Sequence, residues 1–297
     1  MKTIDPKTVS VTELHAYLLG AVAPRPIAFA STIDKAGNVN LSPFSYFNVF
    51  SSHPPIMVFS PSSRVRDNTS KHTLENVLEH PEVVINIVNY AMIEQMSLAS
   101  AEYEKGVNEF LKSGLTSVPS QKVKPPRVGE SPAAFECKVN QVIKLGEEGG
   151  AGNLVVCEVL LAHFDENILD EKTTINPYKL DAVARMGASY YCRAQGEAIF
   201  TLPRPGRKNS MGVDLIPKSI RESNVLTGNN LGQLGMVEQL PDAQMIATFS
   251  EEPAVADLLE RYKDDPLSLS NNLHKLAQTF LEKGETEKAW CVLLQKQ

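Results

Sequence analysis

Short apolar runs separated by turn-forming residues fill the first two thirds of the chain, and the clearest of them is residues 24–45. PIAFAST is apolar with a β-branched end, IDKAGNVN contains Asp34, Gly37 and Asn38, and NLSPFSYFNVF is again extended and rich in aromatic residues. Such turn residues bond locally or tolerate positive φ, so the pattern predicts strand, turn and strand. Pro43 lies inside the second strand, where proline is tolerated at a sheet edge or a bulge. We expect a bulge there, exposing backbone polar groups to a flat, hydrogen-bonding ligand.

The segments on either side extend this pattern. Residues 10–20 predict a short first helix with Ser10 or Thr12 as its N-cap and Gly20 as its stop. Residues 56–59 are almost uniformly apolar, which predicts a third strand that is buried on both faces or inside a barrel.

The polar segment that follows turns into a second short helix. We expect Thr73 to cap it, with Leu74, Val77 and Leu78 on one face. Lys71 and Thr73 would then stand at a helix N-terminus, where free N–H groups and partial positive charge favour an anion, usually a phosphate. The alternative is simple capping beside a solvated lysine.

Residues 81–90 predict a strand in which Asn86 either points its amide into a pocket or faces water. Residues 91–100 predict a helix whose methionines fill the core. Residues 101–132 are charged and contain several prolines, so we expect a long loop that acts as a lid or covers the sheet.

Residues 133–170 predict two long alternating strands, with Phe135, Cys137 and Val139 on the core face and Glu136 on the wet face. The GGAG segment between the strands predicts a hairpin turn. A glycine-rich phosphate loop is the alternative, but neither GxGxxG nor GxxxxGK[ST] follows a strand and opens a helix.

The chain after residue 170 has two parts, and its composition changes at residue 204. In residues 171–203, two adjacent tyrosines either pack over an aromatic ligand or face opposite sides of a strand, and GEAIFTLPRP resembles a further strand. Beyond a linker rich in proline, glycine and asparagine, helices are predicted near 253–263 and 269–296, the latter split at Gly284 into a hairpin. One such hairpin cannot bury its own face, so we expect it to pack on the β domain or on a second subunit.

Composition narrows the class of protein. The 297 residues are 42% hydrophobic and 22% charged, as in a soluble globular protein with one large domain or one domain and an appendage. A net charge of −6 without a basic block argues against nucleic acid as the main partner, although a local phosphate site stays open. Four scattered cysteines favour buried free thiols over disulfides.

Two further features of the sequence concern targeting and metal binding. No apolar run approaches the roughly 18 residues of a membrane helix, and the N-terminus lacks a signal-peptide core, so we expect a cytoplasmic protein without a membrane partner. The six histidines form neither HxxxH nor HExxH, so we predict no catalytic metal.

Six motifs occur in a fixed order: PRPIAFAST, NLSPFSYF, PPIMVFS, KHT, VVIN and RMG. Together they resemble the flavin reductase-like family with the FMN-binding split barrel, over roughly residues 15–200. The resemblance implies a mainly β fold, a Greek-key split β-barrel with peripheral helices, which forms a homodimer with FMN at or near the subunit interface. Residues 1–203 would form this domain, and residues 204–297 a loop-rich linker and a helical C-terminal extension.

The resemblance also implies the following set of cofactor-binding residues: Arg25, Thr32, Asn40, Leu41, Ser42, Pro43, Phe44, Ser45, Ser60, Ser62, Lys71, Thr73 and Asn86. Residues 42–45 would line the edge of the isoalloxazine ring, partly through backbone, while Thr32 and Asn40 approach the ribityl chain or the flavin rim. The hydroxyl residues and the lysine between Ser60 and Thr73 would hold the phosphate. Asn86 would close the pocket, and Arg25 would contact the dimer partner or the flavin. Many relatives carry an acidic residue where this chain has His72, which changes the charge near the phosphate.

The implied activity is transfer of a hydride from NADH or NADPH to flavin, and reduced flavin would then pass to a monooxygenase. Flavin supplies the redox chemistry, so no acid–base pair is needed, in keeping with a sequence that shows no recognisable Ser-His-Asp set. Two alternatives stay open. One is a non-enzymatic FMN-binding electron carrier on the same scaffold, and the other is a dimeric β-barrel interaction module that binds no flavin and uses the C-terminal helices.

Overall fold

The computed structural model describes residues 1–203 and 210–295, and the chain divides into two compact units, Met1–Phe200 and Thr201–Gln297. The predicted domain boundary, after residue 203, lies close to this division. The first residues of the predicted linker, 204–209, and residue 296 at the end of the last predicted helix lie outside the described residues.

The first unit is mainly β. Its strands are β1 Ala28–Ile33, β2 Val39–Phe44, β3 Phe47–Ser52, β4 Pro55–Phe59, β5 Glu82–Ile87, β6 Ser117–Val118, β7 Arg127–Val128, β8 Ala133–Lys144, β9 Asn153–Phe164, β10 Val183–Arg185 and β11 Tyr191–Arg193. Seven of them form one antiparallel sheet in the order β2-β1-β5-β8-β9-β4-β3, and the others form the pairs β6–β7 and β10–β11.

The two end strands of the large sheet, β2 and β3, are joined by only Ser45 and Tyr46. Three Cα–Cα steps span at most about 11 Å, so the sheet must curl until its ends approach each other at this connection. The sequence predicted one extended segment here, whereas the structure has two strands at opposite ends of the sheet. The mainly β prediction is confirmed, and closure into a Greek-key barrel stays a prediction.

Pro43 lies in an end strand. The pairing of β1 with β2 is regular from Ala28 opposite Phe44 to Ile33 opposite Val39, and Pro43 stands opposite Phe29. The predicted bulge is therefore wrong and the edge alternative is confirmed. An end strand tolerates proline because one side of its backbone has no strand partner among the described strands.

The residues of β1 contribute to two apolar clusters. Ala28 and Ala30 contribute to one and Phe29 to the other, so β1 is buried on both faces. In β4 only alternate residues, Met57 and Phe59, are buried, so the prediction of burial on both faces is wrong for this strand.

The strands β8 and β9 form the predicted hairpin, but Glu136 is fully buried instead of wet. Its carboxylate accepts the backbone N–H groups of Gln121 at 2.9 Å and Lys122 at 2.5 Å, and contacts His163 Nε2 at 2.7 Å. Burial alone raises the pKa of Glu136, but these hydrogen bonds outweigh it and hold the pKa below its ordinary value. The loop after residue 101 is thus hydrogen-bonded to the sheet and covers it, which confirms the second of its two predicted roles.

Short helices surround the sheet: α1 Val11–Ala21, α2 His72–Glu79, α3 Ile93–Ala99, α4 Glu109–Ser113 and α5 Pro177–Leu180, with 3-10 turns at Tyr90–Met92, Glu166–Ile168 and Gly196–Ala198. Ser10 caps α1 as predicted, accepting the N–H of Glu13 at 3.1 Å. The predicted cap at Thr73 is wrong, because Lys71 is the N-cap of α2 and makes no side-chain cap. Leu78 is exposed, and the predicted strand GEAIF is a 3-10 turn.

The second unit is helical in its described part: α6 Lys218–Arg221, α7 Gly228–Leu234, α8 Ala243–Phe249, α9 Pro253–Arg261, α10 Pro266–Glu282 and α11 Thr286–Leu293. The predicted split at Gly284 is confirmed, and this glycine has a φ of +75° between α10 and α11. Helices α6 to α8 were not predicted.

This unit has its own core. Trp290 is fully buried and its indole N–H donates to the carbonyl oxygen of Leu234 at 3.1 Å. Leu273, Ala277 and Leu281 of α10 belong to the same cluster, which also takes residues from α6, α7 and α9. The α10–α11 hairpin therefore buries its face within its own unit, and the expectation that it needs another domain or subunit to do so is wrong.

The four cysteines are free thiols, and Cys137, Cys157 and Cys291 are buried as predicted, whereas Cys192 is half-buried. Burial raises the pKa of the Cys137 thiol to about 12, so this group is not a nucleophile at neutral pH. In the described part of the chain, no helix combines the length and the apolar character that crossing a membrane would require.

Candidate functional site

A pocket of about 370 Å³, which we call the strand pocket, lies beside the end of β2. It is lined by Ile27, Pro43, Phe44, Ser45, Met96, Ser97, Ser100, Arg185 and Tyr191. Three of the four residues predicted to face a ring system are among them, and the fourth, Ser42, precedes them in β2 and is half-buried. The volume is in the range of small-molecule sites.

Pro43, Phe44 and Ser45 form the wall of the strand pocket at the end of β2. The ring of Phe44 packs on Phe59 in the core, with ring centroids 5.3 Å apart, and Phe44 is only 9% exposed. Pro43 has no N–H, so it leaves only its carbonyl for hydrogen bonding. The wall therefore contains the hydroxyl of Ser45 and the backbone of residues 43–45, and the contact of these residues with an isoalloxazine ring stays a prediction.

Arg25 ties the surroundings of the strand pocket together. Its Nη1 donates to three carbonyl oxygens, those of Leu19 and Val22 at 2.6 Å and Met186 at 3.0 Å. Its Nε donates to Ser45 Oγ at 3.4 Å, and its backbone pairs with Arg185. Burial, followed by the charge of Arg185, lowers the pKa of Arg25, and its buried Nη2 has no partner in the described residues.

A second pocket, of about 400 Å³, is the basic pocket. It is lined by Val11, His15, Ser62, Ser63, Arg64, Val65, Arg66, Lys71, Glu102 and Gly150. Two of the predicted phosphate-binding residues, Ser62 and Lys71, lie there. Three cationic side chains face a single carboxylate, so the pocket suits an anion.

Lys71 is the cation of the basic pocket that has no fixed partner. Burial, followed by the charge of Arg64, lowers the pKa of Lys71. Its ammonium forms no hydrogen bond or ion pair with any other residue of the described ranges. A half-buried ammonium group without a partner favours binding of an anion.

Glu102 pairs with both arginines of the basic pocket. Its Oε1 lies 3.2 Å from Arg64 Nε and its Oε2 2.7 Å from Arg66 Nη2. Hydrogen bonds from Arg66 and Arg64 hold the pKa of Glu102 below its ordinary value, so the carboxylate stays charged at neutral pH.

The turn between β8 and β9 forms one wall of the basic pocket. The N–H of Gly150 donates to Ser63 O at 3.1 Å, and the N–H of Ser63 donates to Ala151 O at 2.9 Å. A Cβ on Gly149 would lie 2.9 Å from Val65 O, so glycine is needed for this close approach. The hairpin prediction for GGAG is confirmed, and the turn also shapes a pocket.

A third cavity of about 820 Å³, the helix pocket, lies between α1 and residues 185–192. It shares Arg185 and Tyr191 with the strand pocket and His15 with the basic pocket, so it adjoins both of them. Tyr191 lies in β11 with the guanidinium of Arg185 4.6 Å from its ring centroid, and Tyr190 lines the cavity from the preceding turn.

Several predicted cofactor-binding residues form a buried network outside the lining of these pockets. Thr73 Oγ1 donates to Asn40 Oδ1 at 2.7 Å, and Asn40 Nδ2 donates to Glu109 Oε1 at 2.7 Å. The N–H of Leu41 donates to Glu109 Oε2 at 2.9 Å. Burial raises the pKa of Glu109. The network fixes β2 against the first turn of α2, which carries Lys71 at its start.

Thr32 and Ser60 are likewise used within the fold. Thr32 Oγ1 accepts from Asn76 Nδ2 at 3.1 Å, and Ser60 Oγ accepts the N–H of Asn153 at 3.0 Å. Both side chains are buried and neither lines the strand pocket or the basic pocket. Their predicted contacts with a cofactor stay predictions.

Asn86 lies neither in one of the described pockets nor in water, contrary to both predicted environments. It is fully buried, its Nδ2 donates to Phe29 O at 2.9 Å, and its Oδ1 accepts the N–H of Val128 at 3.0 Å. Its amide thus joins β1 and the covering loop, and its cofactor contact stays a prediction.

The sequence did not single out Arg64, Arg66, Glu102 or Arg185 as functional residues. The one available signal was the pair of arginines in RVRDNTSK, just before the predicted anion site. Glu102 had none, because it comes from a loop more than 30 residues further along the chain. Within residues 1–203 and 210–295, no three His, Cys, Asp or Glu side chains come together as a metal site.

Comparison with known proteins gives the family. Residues 20–184, more than half of the chain, match the sequence model of the flavin reductase like domain. An uncharacterized protein of Aquifex aeolicus is 40% identical over 184 residues, which are 62% of this chain and 91% of that protein. The structure of nitrilotriacetate monooxygenase component B from Bacillus cereus is 27% identical with a TM-score of 0.64, covering 68% of this chain and 98% of the other. A Shewanella frigidimarina protein described as a flavin reductase with a split barrel domain is 26% identical with a TM-score of 0.56, covering 67% and 95%. The chain belongs to the flavin reductase-like family.

Proposed function

We propose that this protein is an FMN-dependent oxidoreductase that transfers a hydride from NADH or NADPH to flavin. The observations that carry the proposal are the basic pocket and the strand pocket, each of which shares lining residues with the helix pocket, in a chain of this family. The first would hold the phosphate of FMN and the second its isoalloxazine ring.

The charge of the basic pocket fits a phosphate monoester. Arg64, Arg66 and Lys71 carry three positive charges against one negative charge on Glu102. The hydroxyls of Ser62 and Ser63 supply uncharged donors. Asp67, 3.0 Å from Arg66 Nε, lowers the local net charge to near +1, which still attracts a phosphate group that is close to a dianion at neutral pH.

The strand pocket fits a ring with one polar edge. Pro43, Phe44 and Ser45 offer backbone groups and a hydroxyl, while Met96 and Tyr191 offer apolar and aromatic surface. The buried charge of Arg25 behind this wall makes its surroundings favourable to the electron-rich edge of a flavin.

Flavin, when bound, supplies the hydride-accepting chemistry. The protein's part is to hold the phosphate in the basic pocket and to orient the ring against the end of β2. Such a reaction needs no general acid or base from the chain, so Lys71 and Ser45 act in binding alone.

We also propose that two copies of the chain associate. Val49 and Phe50 of the end strand β3 are 57% and 68% exposed. An exposed apolar end strand is a favourable surface for pairing with a second copy. Sedimentation would then give a mass near twice the chain's 32.6 kDa.

The spectrum of the purified protein tests the function. We expect the absorption of bound flavin after addition of FMN, and bleaching of that absorption when NADH or NADPH is added without oxygen. Tight FMN binding without bleaching would favour the electron-carrier alternative. A protein that binds no flavin would contradict the proposal.

Lys71→Met tests the phosphate assignment. Loss of a charged donor should weaken FMN binding by about 10- to 100-fold, because a charge-assisted hydrogen bond contributes about 1.5–3 kcal/mol. Riboflavin, which lacks the phosphate, should bind as before. Fluorescence titration measures both, and Lys35→Met, an exposed site in the β1–β2 turn, is the matched control.

A further inference from the structure

Glu102 occupies the donors that a phosphate would need. It is the one acidic side chain among the residues that line the basic pocket in the described part of the chain. Its two oxygens engage Arg64 and Arg66, at 3.2 and 2.7 Å. A carboxylate and a phosphate both bind guanidinium groups through their oxygens, so the two compete for the same N–H groups.

The arginines do not need Glu102 to stay in place. Arg64 Nη1 also donates to Thr69 Oγ1 at 2.9 Å and to Ser70 O at 2.7 Å. Arg66 Nε lies 3.0 Å from Asp67 Oδ2. The pocket therefore keeps its cationic groups when the carboxylate leaves, and a purely structural role for Glu102 is not required.

Glu102 is also free to leave. Its side chain is 47% exposed, and it lies in the loop that follows α3 and not in a helix or strand. The pair with Arg66 is exposed on both sides, at 66% and 47%, and such pairs contribute little to stability, so breaking this one costs little. A carboxylate beside the bound phosphate would repel it at short range, because both groups are anions.

We propose that Glu102 is a built-in competitor for the phosphate group, which pairs with Arg64 and Arg66 when no phosphate is bound and keeps phosphorylated flavin exchangeable. The inference rests on the proposed function, since it assigns the basic pocket to the phosphate of FMN. Lys71, which Glu102 does not contact, provides the initial attraction for the anion.

The consequence concerns how the flavin is used. With Glu102 present, FMN binds and leaves, so that the reduced flavin is released as a product to another protein. Without Glu102, Arg64 Nε and Arg66 Nη2 are released for the phosphate, and the protein retains its flavin through turnover.

Glu102→Gln provides the test, because it keeps the size of the side chain and removes the charge. Glu104→Gln is the matched control, since it changes the net charge equally and is an exposed residue that does not line the basic pocket. The dissociation constants of FMN, riboflavin and inorganic phosphate are measured for the three proteins by fluorescence titration and competition. Glu102→Ala serves as a second variant, and circular dichroism verifies the fold of each.

We expect Glu102→Gln to lower the dissociation constants of FMN and inorganic phosphate by about tenfold, because one repulsion at short range is removed. The dissociation constant of riboflavin should change by less than about twofold. The dissociation rate of FMN should fall in parallel. Unchanged or weaker FMN binding in folded Glu102 variants, equal tightening of riboflavin, or the same gain in Glu104→Gln would each overturn the inference. If the unaltered protein binds riboflavin as tightly as FMN, or binds neither, the phosphate assignment itself fails, which is a separate result.

Discussion

Glu109 shows how one buried side chain shapes the site without lining it. Its carboxylate accepts hydrogen bonds from the amide of Asn40 and the backbone N–H of Leu41, and Asn40 in turn accepts from Thr73. The network connects β2, which forms the strand pocket, with α2, whose N-cap Lys71 lines the basic pocket.

Replacing Glu109 with alanine should destabilise the first unit. The change leaves the donors of Asn40 and Leu41 buried without an acceptor, at a cost of about 2–4 kcal/mol in the free energy of unfolding. Urea denaturation followed by far-UV circular dichroism measures this. Glu94→Ala, at an exposed position of α3, is the control and should change stability by less than about 0.5 kcal/mol. Equal effects of the two substitutions would contradict the assigned role.

Local motifs predicted part of the site and long-range contacts decided the rest. The wall at Pro43–Ser45 and the cation at Lys71 follow from neighbouring residues, so the sequence could place them. Thr73 looked like a free helix cap, but its hydroxyl is used by Asn40, 33 residues earlier in the chain. Glu109 lies 69 residues from Asn40, so no local pattern connects them.

Among the elements, the β8–β9 turn has the most direct link to function. It carries Gly149 against the backbone of Arg64 and Val65, within the segment that supplies the cations of the basic pocket. The turn was predicted from its glycines, whereas its contact with residues 62–66 depends on how β4 and β9 pair, which local sequence does not show.

Gly149→Ala should therefore affect the phosphate end of the ligand. Its Cβ would stand 2.9 Å from Val65 O and 3.0 Å from Arg64 O, so either the turn or residues 62–66 must shift. We expect FMN binding to weaken by about five- to tenfold and stability to fall by about 1–2 kcal/mol, as for other overpacked sites. Titration with FMN and urea denaturation measure the two effects.

Gly232→Ala is the control for this substitution. Gly232 lies inside α7, and a Cβ there would meet nothing within 4 Å. Alanine is the better helix former by about 1 kcal/mol, so the control should be neutral or stabilising and leave flavin binding unchanged. Unaltered FMN affinity in Gly149→Ala would show that the turn does not set the geometry of the basic pocket.

At the scale of the whole molecule, the chain combines a family domain with a unit outside the matched region. The family match ends at residue 184, and the helical unit from Thr201 onward has a separate core around Trp290. The hydrophobic spacing predicted its last three helices. It missed α6 to α8, which are at most seven residues long and contain polar residues, with two glycines in α7. The sequence thus underestimated how well this unit buries its own apolar residues.

His274 makes the second unit sensitive to acid. It is 2% exposed, its Nδ1 lies 2.7 Å from Ser223 Oγ, and its buried Nε2 has no partner in the described residues. Burial lowers the pKa of His274 below its ordinary value near 6.5. As the pH falls below about 6.5, the unfolded chain binds a proton that the folded unit does not, so the free energy of unfolding falls by at most about 1.4 kcal/mol per pH unit.

The single tryptophan makes this measurable in the full chain, because Trp290 reports on the second unit alone. Between pH 7.5 and pH 5.5, the free energy of unfolding should fall by about 1 kcal/mol, as measured by urea denaturation followed by Trp290 fluorescence. His274→Gln removes the titrating ring and should flatten this dependence, whatever its effect on absolute stability. His15→Gln, at an exposed position in α1, should leave the dependence as it is. A His274→Gln protein with the same loss between the two pH values would show that other groups set the acid sensitivity of this unit.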